Sequence, residues 1–530
     1  MSVMSYRNLT LNEIDILESQ GCRSASWTQV MVADEFAATD LKNVCFDGDV
    51  RIGKGVRMCN VGTIRTTDGA TFGEDNTISV KNEAGDGNVV IYSGLTSQTA
   101  ALMIRAAEKE ETDLFDKLRE MASAYAKQAR PECTTIGNDV SIMDCRELTN
   151  VSIGDGSELC GASRLIDCTL SSTPNATIYV GDDVIMENVV VQAGSTIVDG
   201  AKLYDSFVGE ACHIGRGFTS EASLFFANSH MDNGESCAAL CGPFSVSHHK
   251  SSLLIGGEYS FYNAGSGTNF SNHAYKMGPI HYGRMERGAK TASGAHILWP
   301  AHIGAFSMVM GKVQTHPDTS LLPFSYVIAD GRKTYVVPGR NLCTVGTYRD
   351  VMKWPKRDKR TTDSRKSLIT YDWLSPYVIE RAKAGLQCLM DMQDEQGYDA
   401  EEYEGKGFII TASALQHGIK YYKQALRMYG NADSTSDWTD LLGLLTPTEA
   451  VEQIKEDIMS EDIADIETLE SRFRDIYDSY DQWKGISDND AATDQANEEW
   501  LNAIRHDAER EYELGDVSED QISEFLNSVN

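Results

Sequence analysis

The chain has no apolar run near 18 residues, so nothing in it is expected to span a membrane. Its first residues, Met1-Ser-Val-Met-Ser-Tyr-Arg7, lack the apolar stretch of a secretion signal. The twelve cysteines form no C-x-x-C pair, and a scattered set of this kind fits a reduced, cytoplasmic compartment. Cys237 and Cys241 are the one close pair, and no second pair matches them for a metal or redox reading. The chain has no G-x-x-x-x-G-K-S/T phosphate loop, no G-x-S-x-G nucleophile turn and no H-E-x-x-H metal helix. Positive charge is scarce: 47 Lys and Arg stand against 79 Asp and Glu, a net of −32. Such a chain repels nucleic acid and anionic membranes.

The charge is uneven. Residues 391–530 hold 35 acidic and 10 basic side chains, whereas residues 246–340 hold 9 basic and 4 acidic. The second segment is the part of the chain expected to attract a small anionic substrate.

An aliphatic residue followed by Gly recurs at Ile136-Gly137, Ile153-Gly154, Val180-Gly181 and Ile214-Gly215, with Ile197 midway between the last two. Steps of 17 residues, filled by six-residue units such as Ile153-Gly-Asp-Gly-Ser-Glu158, predict the triangular turns of a parallel β-helix. Gly, Asn and Asp at the corners suit left-handed backbone angles. The expected organisation is an N-terminal cap over 1–40, with a helix from Leu11 stopped by Gly21, then a β-helix over 41–345. Helical periodicity over 96–130 predicts an insertion looping out between coils. A connector over 346–375 leads to an acidic helical domain over 376–530, whose helices could dock a partner.

Nine of the eleven histidines lie between 213 and 316. His213, His230 and His248 are about one coil apart and are expected to stack in a column. After His248 comes a Gly-rich excursion over 256–267, a candidate lid. His273 or His281 is then the candidate catalytic general base, and Asn272 and Tyr275 would orient an acceptor. Lys276, Arg284, Arg287 and Lys290, with His248, would bind the anion. Three chemistries fit: acyl transfer with an imidazole base, a zinc site on His281, His296 and His302, or binding of a sugar nucleotide or phosphate without catalysis, as in a scaffold or sensor.

The six-residue units resemble the hexapeptide-repeat family of left-handed parallel β-helix proteins, over roughly 41–345. That resemblance implies an acyltransferase with acyl-CoA as a donor, no resident cofactor, commonly a homotrimer, and often a sugar-linked acceptor. Asn272-His273-Ala-Tyr275-Lys-Met-Gly278 is similar to a stretch in the acetyltransferase half of the bacterial N-acetylglucosamine-1-phosphate uridyltransferases. The γ-carbonic anhydrases in the same superfamily carry a close His pair within the repeat. His296 and His302 stand one residue further apart than that pair. The chain as a whole looks like a group of bacterial proteins classed as a domain of unknown function.

Overall fold

Parallel backbone pairing at a one-coil offset dictates the architecture. The computed structural model describes residues 5–83, 85, 87–271, 282–361, 365–430, 437–484 and 491–513. They divide into two compact units. The first comprises Met1–Gly257, Lys359–Leu368 and Ile454–Arg472, and the second comprises Glu258–Asp358, Ile369–Gln453 and Phe473–Asn530.

In the first unit, short strands line up in three parallel ladders. One stacks Ile136, Ile153, Leu170, Val191 and Val208. A second stacks Leu159, Val180, Ile197, Ile214 and Met231. A third stacks Leu148, Leu165, Met186, Leu203 and Ser220. Nearly all of these side chains have almost no exposure, so each coil sends one residue inward from each ladder, apolar at all of these positions but Ser220. The repeating Ile/Val-Gly pairs therefore belong to two ladders, not one. Ile136 and Ile153 share the first, Val180 and Ile214 share the second, and the long gap between Ile153 and Val180 crosses from one to the other.

The corners carry a stack of their own. Asn43 donates to Asn60 at 3.1 Å, and Asn60 to Asp144 at 2.8 Å. Asn188 likewise donates to Asp205 at 3.0 Å. All five residues have positive φ, between 45° and 57°. Asn and Asp tolerate that conformation because the short side chain bonds locally, and stacking it on the next coil satisfies the remaining polar groups.

The N-terminal helix α1 (Leu11–Ser19) starts in a capping box between Thr10 and Glu13, and Gly21 follows its end at φ 82°. Segment 96–130 forms α2 (Ser97–Glu108) and α3 (Thr112–Ala129). Thr96 caps α2, and the Thr96 and Thr99 hydroxyls both donate to Glu470 Oε1, at 2.8 and 2.6 Å. The segment Lys359–Leu368 is held by the fully buried Glu210, which accepts from the backbone of Lys366 and Ser367 and faces Arg360 at 3.8 Å.

In the second unit, Phe270, Ile297 and Val313 form one parallel column, and Thr291, Val309 and Val327 form another. The segment expected as a lid buries Tyr259, Phe261 and Tyr262, so packing of three aromatic rings makes it core. The stretch expected as a connector opens with helix α4 (Val345–Arg357), capped by Thr344. The region expected as an acidic helical domain also contains two hairpins, Glu402–Gly405 with Phe408–Thr411 and Trp438–Leu441 with Leu444–Pro447. Both turn through a glycine at positive φ, Gly407 and Gly443, a signal outweighed by the helix-forming residues around it. Helix α5 (Pro376–Gln396) packs on α6 (Ala412–Tyr429).

Arg287 pins this unit together. Its guanidinium donates to Asp440 at 2.8 Å, to the Thr370 carbonyl at 2.7 Å and to the Gly443 carbonyl at 2.9 Å, and it lies 4.4 Å from the Phe261 ring centre. Arg287→Ala takes the guanidinium away from the buried Asp440 carboxylate and is expected to cost about 3–5 kcal/mol. The double variant with Asp440→Ala should recover part of that loss in denaturant melts.

Glu74 supplies a pH test of the first unit. Burial pushes its carboxyl up to about 7 despite two hydrogen bonds from the Ser93 backbone and the nearby Lys366 and Arg130 charges. The folded state therefore holds a proton that the unfolded chain has lost above about pH 4.5, so stability falls as pH rises from there to 7. Glu74→Gln should remove up to about 3 kcal/mol of that slope, seen as a Tm gain at pH 8 that vanishes at pH 4.

Candidate active site

The strands Gly283–Met285 and His302–Ile303 run parallel, with Arg284 directly opposite His302. Alternation along a strand turns Met285 and Ile303 inward and leaves Arg284 and His302 on the outer face. Beyond the strand end, Glu286 is almost fully buried, and its Oε1 lies 2.8 Å from His302 Nε2. Among the described residues its Oε2 has no hydrogen bond, and Arg381 Nε lies 3.7 Å from it. Arg381 comes from α5, where its guanidinium sits 3.5 Å over the Tyr377 ring centre. On the other side, His302 Nδ1 lies 4.0 Å from Asp318 Oδ1. Asp318 is held by Lys406 at 2.7 Å and by the Ser320 hydroxyl at 2.7 Å.

The electrostatics follow from these neighbours. Burial would push the Glu286 carboxyl up, but the hydrogen bond and charge of His302, with Arg381 and Arg284, hold it below its ordinary range. Asp318 is likewise held low, with the Lys406 and Ser320 hydrogen bonds outweighing burial. An ionised Glu286 only accepts, so Nε2 carries the hydrogen and Nδ1 presents its lone pair to the side where Asp318 stands. The His302 side chain is about one-third exposed. The arrangement is an imidazole with one nitrogen fixed and the other free to take a proton.

The expected catalytic and orienting residues Asn272, His273, Tyr275 and His281, and the expected anion binder Lys276, lie outside the described residues. The basic side chains that are described are each matched to a carboxylate. Arg284 faces Glu258 at 3.0 Å, Arg287 faces Asp440 at 2.8 Å and Lys290 faces Asp350 at 2.8 Å. Burial and three hydrogen bonds commit Arg287 to structure. Of the zinc set, His281 lies outside the described residues, His296 pairs with Asn269 and Lys312, and His302 pairs with Arg284 on another ladder. Burial and the Lys312 charge hold the His296 imidazole below its usual value.

The other histidine group stands in the first unit. His213 pairs in register with His230, their ring centres 4.4 Å apart, and the His248 ring lies 4.4 Å from that of His230. The backbone partner of His230 is Val246, so His248 joins the column through its ring and not through its register. Asp232 is buried beside them, with Oδ2 3.2 Å from His230 Nε2 and Oδ1 3.5 Å from His213 Nε2. Burial, with the neighbouring His248 and His213, brings the His230 imidazole down to about 4. Among the described residues this is the one group of three His, Cys, Asp or Glu side chains close enough to share an ion. All twelve cysteines are free thiols, Cys237 and Cys241 included.

Glu286, Asp318 and Asp232 were not singled out from the sequence. Glu286 and Asp318 each stand one coil from His302, and Asp232 is two residues past His230, so the coil ruler and strand alternation contained that signal. Arg381 comes from a helix that no repeat places.

No helix among the described residues is long and apolar enough to cross a membrane. Residues 423–495 match a second family, described as Domain of unknown function (DUF6819). An uncharacterized protein of Treponema pallidum (strain Nichols) is 25% identical over 429 residues, which is 68% of this chain. This chain spans 58% of the length of that relative. A solved chain from Desulfovibrio desulfuricans G20, assigned as an acetyltransferase, aligns over 63% of this chain and 79% of its own length. Its 10% identity and TM-score of 0.12 carry no argument about fold or activity. Residues 6–59 and 51–393 match the family described as Domain of unknown function (DUF4954), and the chain belongs to that family.

Proposed function

We propose that the protein is a transferase of the acyl-transfer type, with His302 as general base. The observation that carries this is the His302 imidazole, fixed through Nε2 by buried Glu286 with its Nδ1 side turned toward Asp318. A hydroxyl or amine of the acceptor gives its proton to Nδ1 and attacks the thioester carbonyl of an acyl-CoA donor. The C–S bond then breaks, and the leaving thiolate takes the proton back from the imidazolium. Glu286 and Asp318 flank that imidazolium and stabilise it while it exists. Net positive charge over 246–340 favours a phosphate-bearing sugar or sugar nucleotide as acceptor.

The scaffold in this reading is a left-handed parallel β-helix over 41–345, interrupted by 96–130 and assembled as a homotrimer. It is supported by the three inward columns of the first unit, one residue per ladder per coil.

The test is thiol release from acetyl-CoA by the full chain, across a panel of amino sugars, sugar phosphates and sugar nucleotides. His302→Ala should lower kcat at least about 100-fold, and Glu286→Gln should lower kcat with little change in KM. Unchanged turnover in His302→Ala sinks this assignment, and loss in His273→Ala or His281→Ala instead moves the base to those positions. Tight sugar-nucleotide binding with no turnover on any acceptor replaces the enzyme with a sensor.

A further inference from the structure

We propose that His213, His230 and Asp232 form a site for one divalent transition-metal ion of the zinc type, with its fourth position open to solvent. The three side chains come from two adjacent coils. His213 pairs with His230, and Gly215 pairs with Asp232. His230 and Asp232 are two residues apart on one strand, so both project from the same outer face.

Three observations converge. The first is distance. Two ligands bound tetrahedrally at about 2.0–2.1 Å from zinc lie roughly 3.3 Å apart. The two imidazoles approach opposite oxygens of one carboxylate, His230 Nε2 at 3.2 Å from Oδ2 and His213 Nε2 at 3.5 Å from Oδ1, and with one atom from each side chain the three lie within 4.8 Å of one another. The second is an orphan. The Asp232 side chain is only 6% exposed, yet Oδ1 has no hydrogen-bond partner. A buried carboxylate oxygen left bare is costly, and a cation between the imidazoles removes that cost. The third is space. A methyl group built on Gly215 would sit 3.0 Å from Val198 Cγ2, 3.2 Å from His213 Nε2 and 3.3 Å from Asp232 Oδ1. The missing side chain leaves open the volume that an ion between those atoms needs.

The donor set fits the metal. Two imidazoles and one carboxylate are borderline ligands suited to zinc and its neighbours, and too few oxygens for calcium. The surrounding charges are few. Arg216 is exposed, and its Nε lies 3.5 Å from Asp232 Oδ2, so a divalent ion displaces it to solvent. His248 packs on His230 from the following coil and covers the far side of the ring. An ion here joins two coils through side chains where the ladder already joins them through the backbone.

The test uses the full chain stripped with chelator and titrated with Co(II). The expected result is one equivalent bound with the visible absorption of a four-coordinate ion, displaced by Zn(II), and a Tm raised by Zn(II). His230→Ala and Asp232→Asn should each weaken binding at least about 100-fold and abolish the Tm rise. Asp232→Asn keeps the shape of the side chain, so its metal-free Tm reports folding separately. Gly215→Ala keeps all three ligands and should still weaken binding by filling the hollow. The proposal is overturned if the unaltered chain binds no stoichiometric Co(II), or if His230→Ala and Asp232→Asn bind it as tightly as the unaltered chain.

Discussion

Parallel backbone hydrogen bonding at a fixed offset is the constraint on which the rest of the first unit depends. Once Thr196 faces His213 and His213 faces His230, every residue of a coil has its neighbour chosen for it. The inward positions must then be apolar in columns, and the corner positions must accept left-handed angles in columns. Outward positions are free of both demands, and there the chain places His213, His230 and Asp232. The histidine column is thus a by-product of register, turned into a site by one buried carboxylate and one missing Cβ.

The three-ladder core was legible because its signal is a column repeated many times. Ile136, Ile153, Val180 and Ile214 announce the period even though they belong to two ladders. The histidine column was legible for the same reason. Glu286 stands 16 residues from His302 while the strand it follows pairs at an offset of 18, so the coil ruler marked it only approximately and a single acid in a basic stretch did not stand out. The core role of Tyr259, Phe261 and Tyr262 was hidden by the glycines around them, which read as a loop. The hairpin over 402–411 was hidden by its length: four-residue strands are too short to show alternation against flanking helices.

Many acidic side chains of the C-terminal region face solvent. In the second unit some have specific partners. Asp507 pairs with Arg340 at 3.0 Å and accepts from the Val345 backbone at 3.0 Å, at the start of α4. Tyr480 donates to Asp372 at 3.0 Å. Trp500 donates its indole hydrogen to the Leu342 carbonyl at 2.9 Å and stacks on Trp373 with ring centres 5.1 Å apart. The negative charge is therefore partly structural: Asp507 accepts from the start of α4 and pairs with Arg340, and Asp372 accepts from Tyr480.

Most coils pair with a neighbour 16 to 21 residues along the chain, but Ile52 pairs with Ile136 and Arg57 with Ser141. The chain between them makes the Asn76–Ile78 and Val89–Ile91 hairpin, α2 and α3 before returning to the ladder. Closing that longer loop costs about 1.4 kcal/mol more in chain entropy than closing an ordinary coil. In equilibrium terms the insertion is cheap, but in kinetic terms it is a seam. Neighbouring coils can zip in sequence on either side of it, whereas the pairing across it waits for a distant contact. The coils before residue 66 and those after residue 133 are in this sense two folding segments sharing one continuous ladder.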